Sequence, residues 1–272
     1  MRADGSEFDA IAAEYDRFRE SYPDALVDAA CARGRLTAGS RVLEIGCGTG
    51  QLTEQLAKRG LAVAAVDPGA QLIERARIRA GADVEFHLAR FEDVELAEGA
   101  YDAVFSATAF HWIDPAVGWA KVANLLRPGG VIALLHPGMG AHSTAFSEAI
   151  SAVWHDTAPR TKWHPREPFD VWQGAELRRG DVSALWSWIT MYELERPEAT
   201  TLFGDVQLLA APTPHEHTLE SYLALMRTTS SYLRLDAPKR DLLQARLQDV
   251  FAQGEGNGRF ADWAVLVTAV RR

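Results

Sequence analysis

The sequence predicts an α/β fold: a doubly wound, mostly parallel sheet with a helical, Trp-rich cap insertion. Three observations lead there. Between Arg41 and His136, strand-sized apolar runs alternate with helix-length amphipathic stretches bounded by Gly and Pro. The runs are apolar throughout, as strands buried on both faces must be, and helices of this length are the crossovers that parallel strands require. Beyond residue 138 the alternation stops, and five of the eight tryptophans, Trp154, Trp163, Trp172, Trp186 and Trp188, crowd into the following stretch.

Glu7–Phe18 and Pro23–Arg33 read as two helices preceding the core. Arg41–Ile45 is the first strand, Leu52–Arg59 a helix stopped by Gly60, and Leu61–Val66 a second strand ending at Asp67-Pro68. Pro68 suits a first helical position, and that helix runs to about Arg79, closed by Gly81. Val84–Leu88 and Tyr101–Ser106 are further strands. Asp114-Pro115 repeats the cap-and-proline start for a helix reaching Leu126; the turn Arg127-Pro128-Gly129-Gly130 ends it and Val131–Leu135 is the fifth strand. After the Trp-rich stretch, a strand is expected near Val206–Leu209, helices over Leu219–Leu233 and Pro238–Ala252, and a last strand over Trp263–Val270 entered through the loop Gly254–Gly258. With no internal repeat, the expected organisation is one sheet domain: residues 1–137 hold the opening helices and the core, 138–205 the cap, and 206–272 complete the sheet and line the pocket.

Composition narrows the function. The 272 residues are 47% hydrophobic and 24% charged, an ordinary globular balance, and a net charge of -9 argues against a surface built to neutralise a phosphate backbone. No nucleic-acid partner is therefore expected. Two cysteines, Cys31 and Cys47, allow at most one bridge, and Cys47 sits in a glycine turn, so a reducing compartment is expected. The opening residues lack an apolar core, and the longest apolar runs, Ala62–Val66 and Ala264–Val267, fall far short of a bilayer span. The expected setting is the cytoplasm, away from membranes.

The chemistry-bearing segment is Val42-Leu43-Glu44-Ile45-Gly46-Cys47-Gly48-Thr49-Gly50, a buried strand running into three alternating glycines. Glycines there let the backbone approach a ligand closely. The dinucleotide fingerprint needs its third glycine where this chain has Gln51, and a phosphate loop needs a Lys-Ser or Lys-Thr pair that does not follow.

This segment resembles the first motif of the class I S-adenosylmethionine-dependent methyltransferases, Glu-x-Gly-x-Gly-x-Gly, at Glu44, Gly46, Gly48 and Gly50. Asp67 ends the second strand where such enzymes place an acid for both ribose hydroxyls. Phe91-Glu92-Asp93 falls where they line the adenine pocket, and Ser106-Ala107-Thr108-Ala109-Phe110-His111-Trp112 resembles their fourth-strand motif. The resemblance covers about residues 7 to 136 and is closest to the small-molecule branch with ubiquinone-biosynthesis-like and trans-aconitate-like enzymes. It implies a Rossmann-like fold, S-adenosylmethionine as cofactor with S-adenosylhomocysteine as product, and cofactor contacts from Glu44, Gly46, Cys47, Gly48, Gly50, Asp67, Pro68, Phe91, Glu92, Ser106 and Ala107. Where the family often has an acid for the adenine amino group this chain has Arg90, which cannot accept that hydrogen bond. Tyr15, Arg19 and Tyr22-Pro23 resemble the branch's lid, so Arg19 reads either as partner to the cofactor's carboxylate or as a solvated residue beside the apolar stripe of Tyr15 and Phe18.

The resemblance implies methyl transfer to a small organic molecule, with oxygen of a carboxylate, phenol or alcohol as the leading acceptor. Nitrogen or carbon acceptors, and a relative that binds cofactor without turnover, are the alternatives. His111 and His136 end the fourth and fifth strands and overlook the crevice of an open sheet, as general bases or as packed strand-end residues. Trp112 directly follows the cofactor motif, and Tyr222, Arg227, Thr229 and Tyr232 resemble a stretch that returns to the pocket; of these Trp112, Arg227 and Tyr232 are the candidate substrate contacts. Most other tryptophans read as core. His215-Glu216-His217 lacks a third partner, so no metal is expected. Arg160, Lys162, His164 and Arg166 form a basic cluster that reads as solvated surface.

Overall fold

The computed structural model of the chain describes residues 6–137, 145–158, 168–253 and 258–272. Trp163, the basic cluster Arg160–Arg166, His142 and most of the Gly254–Gly258 loop lie outside them. A 3-10 turn, Ser6–Ile11, leads into α1 (Ala12–Phe18) and α2 (Asp24–Gly34). The core then runs β1 (Arg41–Ile45), α3 (Gln51–Lys58), β2 (Ala62–Asp67), α4 (Ala70–Ala80), β3 (Glu85–Leu88), β4 (Tyr101–Ala107), a 3-10 turn Phe110–Trp112, α5 (Pro115–Leu125) and β5 (Leu126–His136). Four helices follow: α6 (Ala145–Thr157), α7 (Pro168–Glu176), α8 (Val182–Thr190) and α9 (Ala199–Leu202). The chain ends with β6 (Phe203–His217), α10 (Leu219–Met226), α11 (Ser230–Leu233), α12 (Ala237–Gln253) and β7 (Gly258–Arg271).

The seven strands form one sheet in the order β3-β2-β1-β4-β5-β7-β6. β1 to β5 are parallel, with Val42 opposite Val63 on one side and Ala103 on the other, while β7 runs antiparallel between β5 and β6. Side-chain alternation sends Leu43, Ile45 and Val104 to one face, where they meet Trp119 of α5 and Trp186 of α8. It sends Val42, Ala103 and Phe105 to the other, against Leu26 and Val27 of α2 and Leu52 and Leu56 of α3. Both faces are covered, as an apolar parallel sheet demands.

The tryptophans of the cap region divide. Trp186 is fully buried on the sheet, whereas Trp154 belongs to a separate helical layer with Tyr222, Leu243 and Leu247, its indole N–H donating to the Tyr222 hydroxyl at 3.1 Å. The region therefore supplies sheet cover as well as a second layer, and only part of it stands over the core.

Several boundaries differ from expectation. The helix foreseen from Glu7 is a 3-10 turn up to Ile11. α4 begins at Ala70 and not at Pro68, because the Asp67 carboxylate accepts the Gly69 N–H at 2.8 Å and closes a tight turn first. The Arg127–Gly130 turn lies inside β5 as a bulge, since Leu126 pairs with Tyr101 before Val131 pairs with Ala103. β6 spans fifteen residues instead of four, sustained by pairing with β7 on both sides of a bulge between Gly204 and Gln207. The single helix expected over Leu219–Leu233 is two, α10 and α11, separated at Arg227–Thr229; Thr229 caps the second through Tyr232 N–H.

Candidate active site

Strand order reverses between β1 and β4, and at such a switch point the loops leaving neighbouring carboxyl ends diverge and open a crevice. Here the glycine turn after β1 and the Thr108–Ile113 loop after β4 form its sides. The crevice is open to solvent along one side, and the space within it, open solvent included, is about 1110 Å³.

The turn is shaped by contacts that exclude side chains. Gly46 has φ +70°, and a Cβ there would lie 2.2 Å from Ala109 Cβ across the crevice's base. Gly50, at φ +88°, lets α4 approach until a Cβ would stand 2.9 Å from Ala76 Cα. Val66 carbonyl oxygen accepts Gly46 N–H at 2.8 Å, and Asp67 Oδ2 accepts Gly48 N–H at 2.9 Å, tying the turn to the end of β2. Each Asp67 oxygen accepts one backbone N–H and retains a lone pair toward the crevice it lines. Burial pushes the Asp67 carboxyl above the usual range.

Four expected cofactor residues lie behind this wall and not on it. Glu44 is buried and accepts the Thr53 hydroxyl at 2.6 Å; Ser106 donates to Ile45 carbonyl oxygen at 2.9 Å, stitching β4 to β1. Cys47 packs in the core with α3, and Gly50 faces α4. Held by these contacts, the four shape the turn from behind. Burial, reinforced by the Asp67 charge, pushes Glu44 up to about 8.

The remaining expected residues converge. Gly46, Gly48, Asp67, Pro68, Phe91, Glu92 and Ala107 line one end of the crevice, with Arg90 beside them. Arg90 Nη2 pairs with Glu92 Oε1 at 3.4 Å, and the same oxygen accepts Asp114 N–H at 2.9 Å. Tyr15 and Arg19 line the crevice too, with the Tyr15 ring 3.7 Å from where a Cβ on Gly48 would stand and the Arg19 guanidinium 5.1 Å from the Tyr15 ring. Arg19 is held from the C-terminal layer: its Nε donates to Thr228 Oγ1 at 3.0 Å and its Nη2 to Thr228 carbonyl oxygen at 2.7 Å. It is half-buried and held at the crevice by these two bonds.

The other end is aromatic. The His111 ring stacks on Tyr192 at 4.6 Å and 19°, with Trp112 4.8 Å and His136 6.5 Å from it. Burial pushes His136 down to about 4, leaving its imidazole neutral at pH 7. Phe8 closes edge-on to Trp112 at 5.9 Å and to Tyr15 at 5.6 Å. Beneath, the buried Tyr22 hydroxyl, its ionisation pushed far up by desolvation, hydrogen-bonds Thr108 Oγ1 at 2.5 Å.

Arg227 and Tyr232 do not reach the crevice. The break between α10 and α11 turns Arg227 to the surface and sinks Tyr232 into the layer with Trp154, while Thr229 and Ser230 between them line the opening. Sequence reading missed Phe8, Tyr192 and Thr228. Tyr192 carries no motif; it arrives because Met191 ends α8 with φ +59°, and because the Ser187 hydroxyl donates to Tyr192 carbonyl oxygen and accepts Leu194 N–H at 2.9 Å.

Comparison with known proteins supports one reading of this arrangement. A family model described as a methyltransferase domain matches residues 43–134. An uncharacterised methyltransferase of Mycobacterium tuberculosis is 39% identical over 128 residues, 47% of this chain and 51% of that protein. A second from the same organism is 33% identical over 156 residues, 52% of this chain and 76% of its own length. A ubiquinone biosynthesis O-methyltransferase of Xanthomonas axonopodis is 36% identical over 102 residues, 36% of this chain and 43% of that protein. The chain spans about half the length of the first curated relatives it matches, at 51%. Among solved structures, a candidate type II methyltransferase from Anaeromyxobacter dehalogenans superposes with a TM-score of 0.61 at 24% identity, covering 93% of this chain and 98% of that one, and so shares the fold.

Proposed function

The chain belongs to the class I S-adenosylmethionine-dependent methyltransferases, and on that premise we propose that it moves a methyl group from S-adenosylmethionine to an oxygen of a small organic acceptor. The observation that carries the reading is the convergence, at one switch point, of a glycine turn that admits no Cβ at Gly46, a buried carboxylate at Asp67, and an aromatic chamber around His111. These residues fit the cofactor: Asp67 offers two oxygens to vicinal ribose hydroxyls, Gly46 and Gly48 hold the turn beside it, Phe91 and Glu92 suit the base, and Arg19 suits a carboxylate. When bound, the sulfonium supplies an electrophilic methyl carbon for in-line displacement.

The protein's part is alignment, which for such a displacement accounts for most of the acceleration. His111 stacked on Tyr192, with Trp112 tilted against both, gives an aromatic surface that orients an acceptor, and Phe8 helps keep water from the reacting atoms. His136, neutral above about pH 4, accepts a hydrogen bond from an acceptor hydroxyl but is too weak a base to hold a full proton at pH 7. That combination suits an acceptor already ionised, a carboxylate, or one readily polarised, a phenol.

Incubation with methyl-labelled S-adenosylmethionine and a panel of carboxylic acids, phenols and alcohols tests the reading, with label expected on at least one acceptor oxygen. Label remaining wholly on the donor would favour a cofactor-binding relative without turnover. In parallel, Asp67→Ala is expected to weaken S-adenosylhomocysteine binding by about tenfold or more with an unchanged circular dichroism spectrum; unchanged affinity by calorimetry removes Asp67 from the site.

A further inference from the structure

The segment from the Ser6–Ile11 turn to Arg19 roofs the crevice through Phe8, Tyr15 and Arg19, yet apolar burial does not hold it there. Among its described side chains only Ala12 is buried. Glu7 pairs with Arg234 at 3.0 Å and Gln51 Nε2 donates to Arg19 carbonyl oxygen at 3.5 Å, while the segment's ties to α4 are polar and pass through two acids that do not line the crevice. Asp9 Oδ1 accepts Gln71 N–H at 2.7 Å and Leu72 N–H at 3.2 Å, two first-turn amides of α4. The N-cap of α4 is Gly69, which has no side chain to do this, and a Cβ on it would stand 2.8 Å from Asp9 Oδ1. Asp9 thus caps α4 from 62 residues away, immediately after the turn that carries Asp67.

Seven positions later Asp16 pairs with Arg79 at 2.5 Å and Arg75 at 3.4 Å, both on α4. Arg79 also donates through Nε to Thr49 carbonyl oxygen at 3.1 Å, inside the glycine turn. Each acid is therefore next to a roof aromatic in the chain, Phe8 or Tyr15, and joined in space to a turn that carries ligand-facing backbone.

Taking the proposed function as its basis, we infer that Asp9 and Asp16 are positioning residues for cofactor binding: they couple the roof to the Asp67 and Gly48 turns, and removing them weakens cofactor affinity without deleting a contact to the cofactor. The two act by different physics. Asp9 serves as a hydrogen-bond acceptor, a role asparagine fills and alanine does not. Asp16 serves as a charge at a partly exposed pair, so its contribution is screened by salt.

The test is calorimetric titration of the full chain with S-adenosylhomocysteine, which carries no net charge near neutrality, at low and high salt. Asp9→Ala is expected to weaken binding about tenfold and Asp9→Asn less than about twofold. Asp16→Asn is expected to weaken it about fivefold at low salt and to reduce the salt dependence shown by the native chain. Hydrogen exchange gives a second readout, with faster exchange at Gln71 and Leu72 in Asp9→Ala only. Native affinity in Asp9→Ala and Asp16→Asn overturns the inference, as does equal loss in Asp9→Asn and Asp9→Ala. A native chain that binds no S-adenosylhomocysteine overturns the function on which it rests.

Discussion

Glu44 sits one residue before the strand ends, wholly enclosed, with the Thr53 hydroxyl at 2.6 Å and the Asp67 carboxyl as an electrostatic neighbour. Desolvation is the largest influence and the Asp67 charge adds to it, against the Thr53 hydrogen bond, so Glu44 is held up to about 8 and stays protonated at neutral pH. A neutral Glu44 spares Asp67 a like charge and keeps it available as the acceptor at the crevice. The folded chain retains a proton that the unfolded chain releases near 4.5, so stability is expected to fall as pH rises from about 4.5 to about 8, by up to about 1.4 kcal/mol per pH unit. Denaturant midpoints measured across that window check this: Glu44→Gln should flatten the slope, and an unchanged slope would place the linkage elsewhere. The motif residues Glu44, Gly46, Gly48, Gly50 and Asp67 were legible because a strand, a turn and the next strand end lie close in the chain. Which of them face the ligand was not, since that depends on the twist of the turn between β1 and α3.

Among the elements, α5 shows local chemistry deciding a boundary. Asp114 accepts Ala116 N–H at 2.9 Å, Pro115 occupies the first helical position, and the Asp114 N–H in turn fixes Glu92 at the crevice. Asp114→Ala is expected to cost about 1 kcal/mol, a fall in Tm of about 2–4 °C in thermal unfolding. The α10–α11 break shows the opposite case. Helical periodicity continues through Met226-Arg227-Thr228-Thr229, but the Thr228 hydroxyl donates to Leu225 carbonyl oxygen at 2.6 Å while its own carbonyl is taken by Arg19, 209 residues earlier. No local pattern encodes that competition. The same holds for α4, whose missing cap at Gly69 is supplied from Asp9.

At the scale of the whole molecule, β7 is the strand on which the fold and the site both depend. It pairs with β5 from Val131–Val270 to His136–Val265 and with β6 along its length, so the last strand of the chain covers the edge that carries His136. Deleting residues 258–272 would bare the β5 edge and strip β6 of its partner, so the shortened chain is expected to aggregate, seen as loss of the monodisperse peak in size-exclusion chromatography. Among the described residues no helix is long and apolar enough to cross a membrane.

The alternating strands and helices of the parallel core, and the glycine turn with its acid, are written in local chemistry. Those follow from apolar periodicity, capping residues and backbone sterics acting over a few tens of residues. The stacking of Tyr192 on His111, the hold of Thr228 on Arg19, and the ties of Asp9 and Asp16 to α4 arise from packing between distant segments. These contacts join segments far apart in the chain, and such pairs meet only after the sheet has set the distances between them.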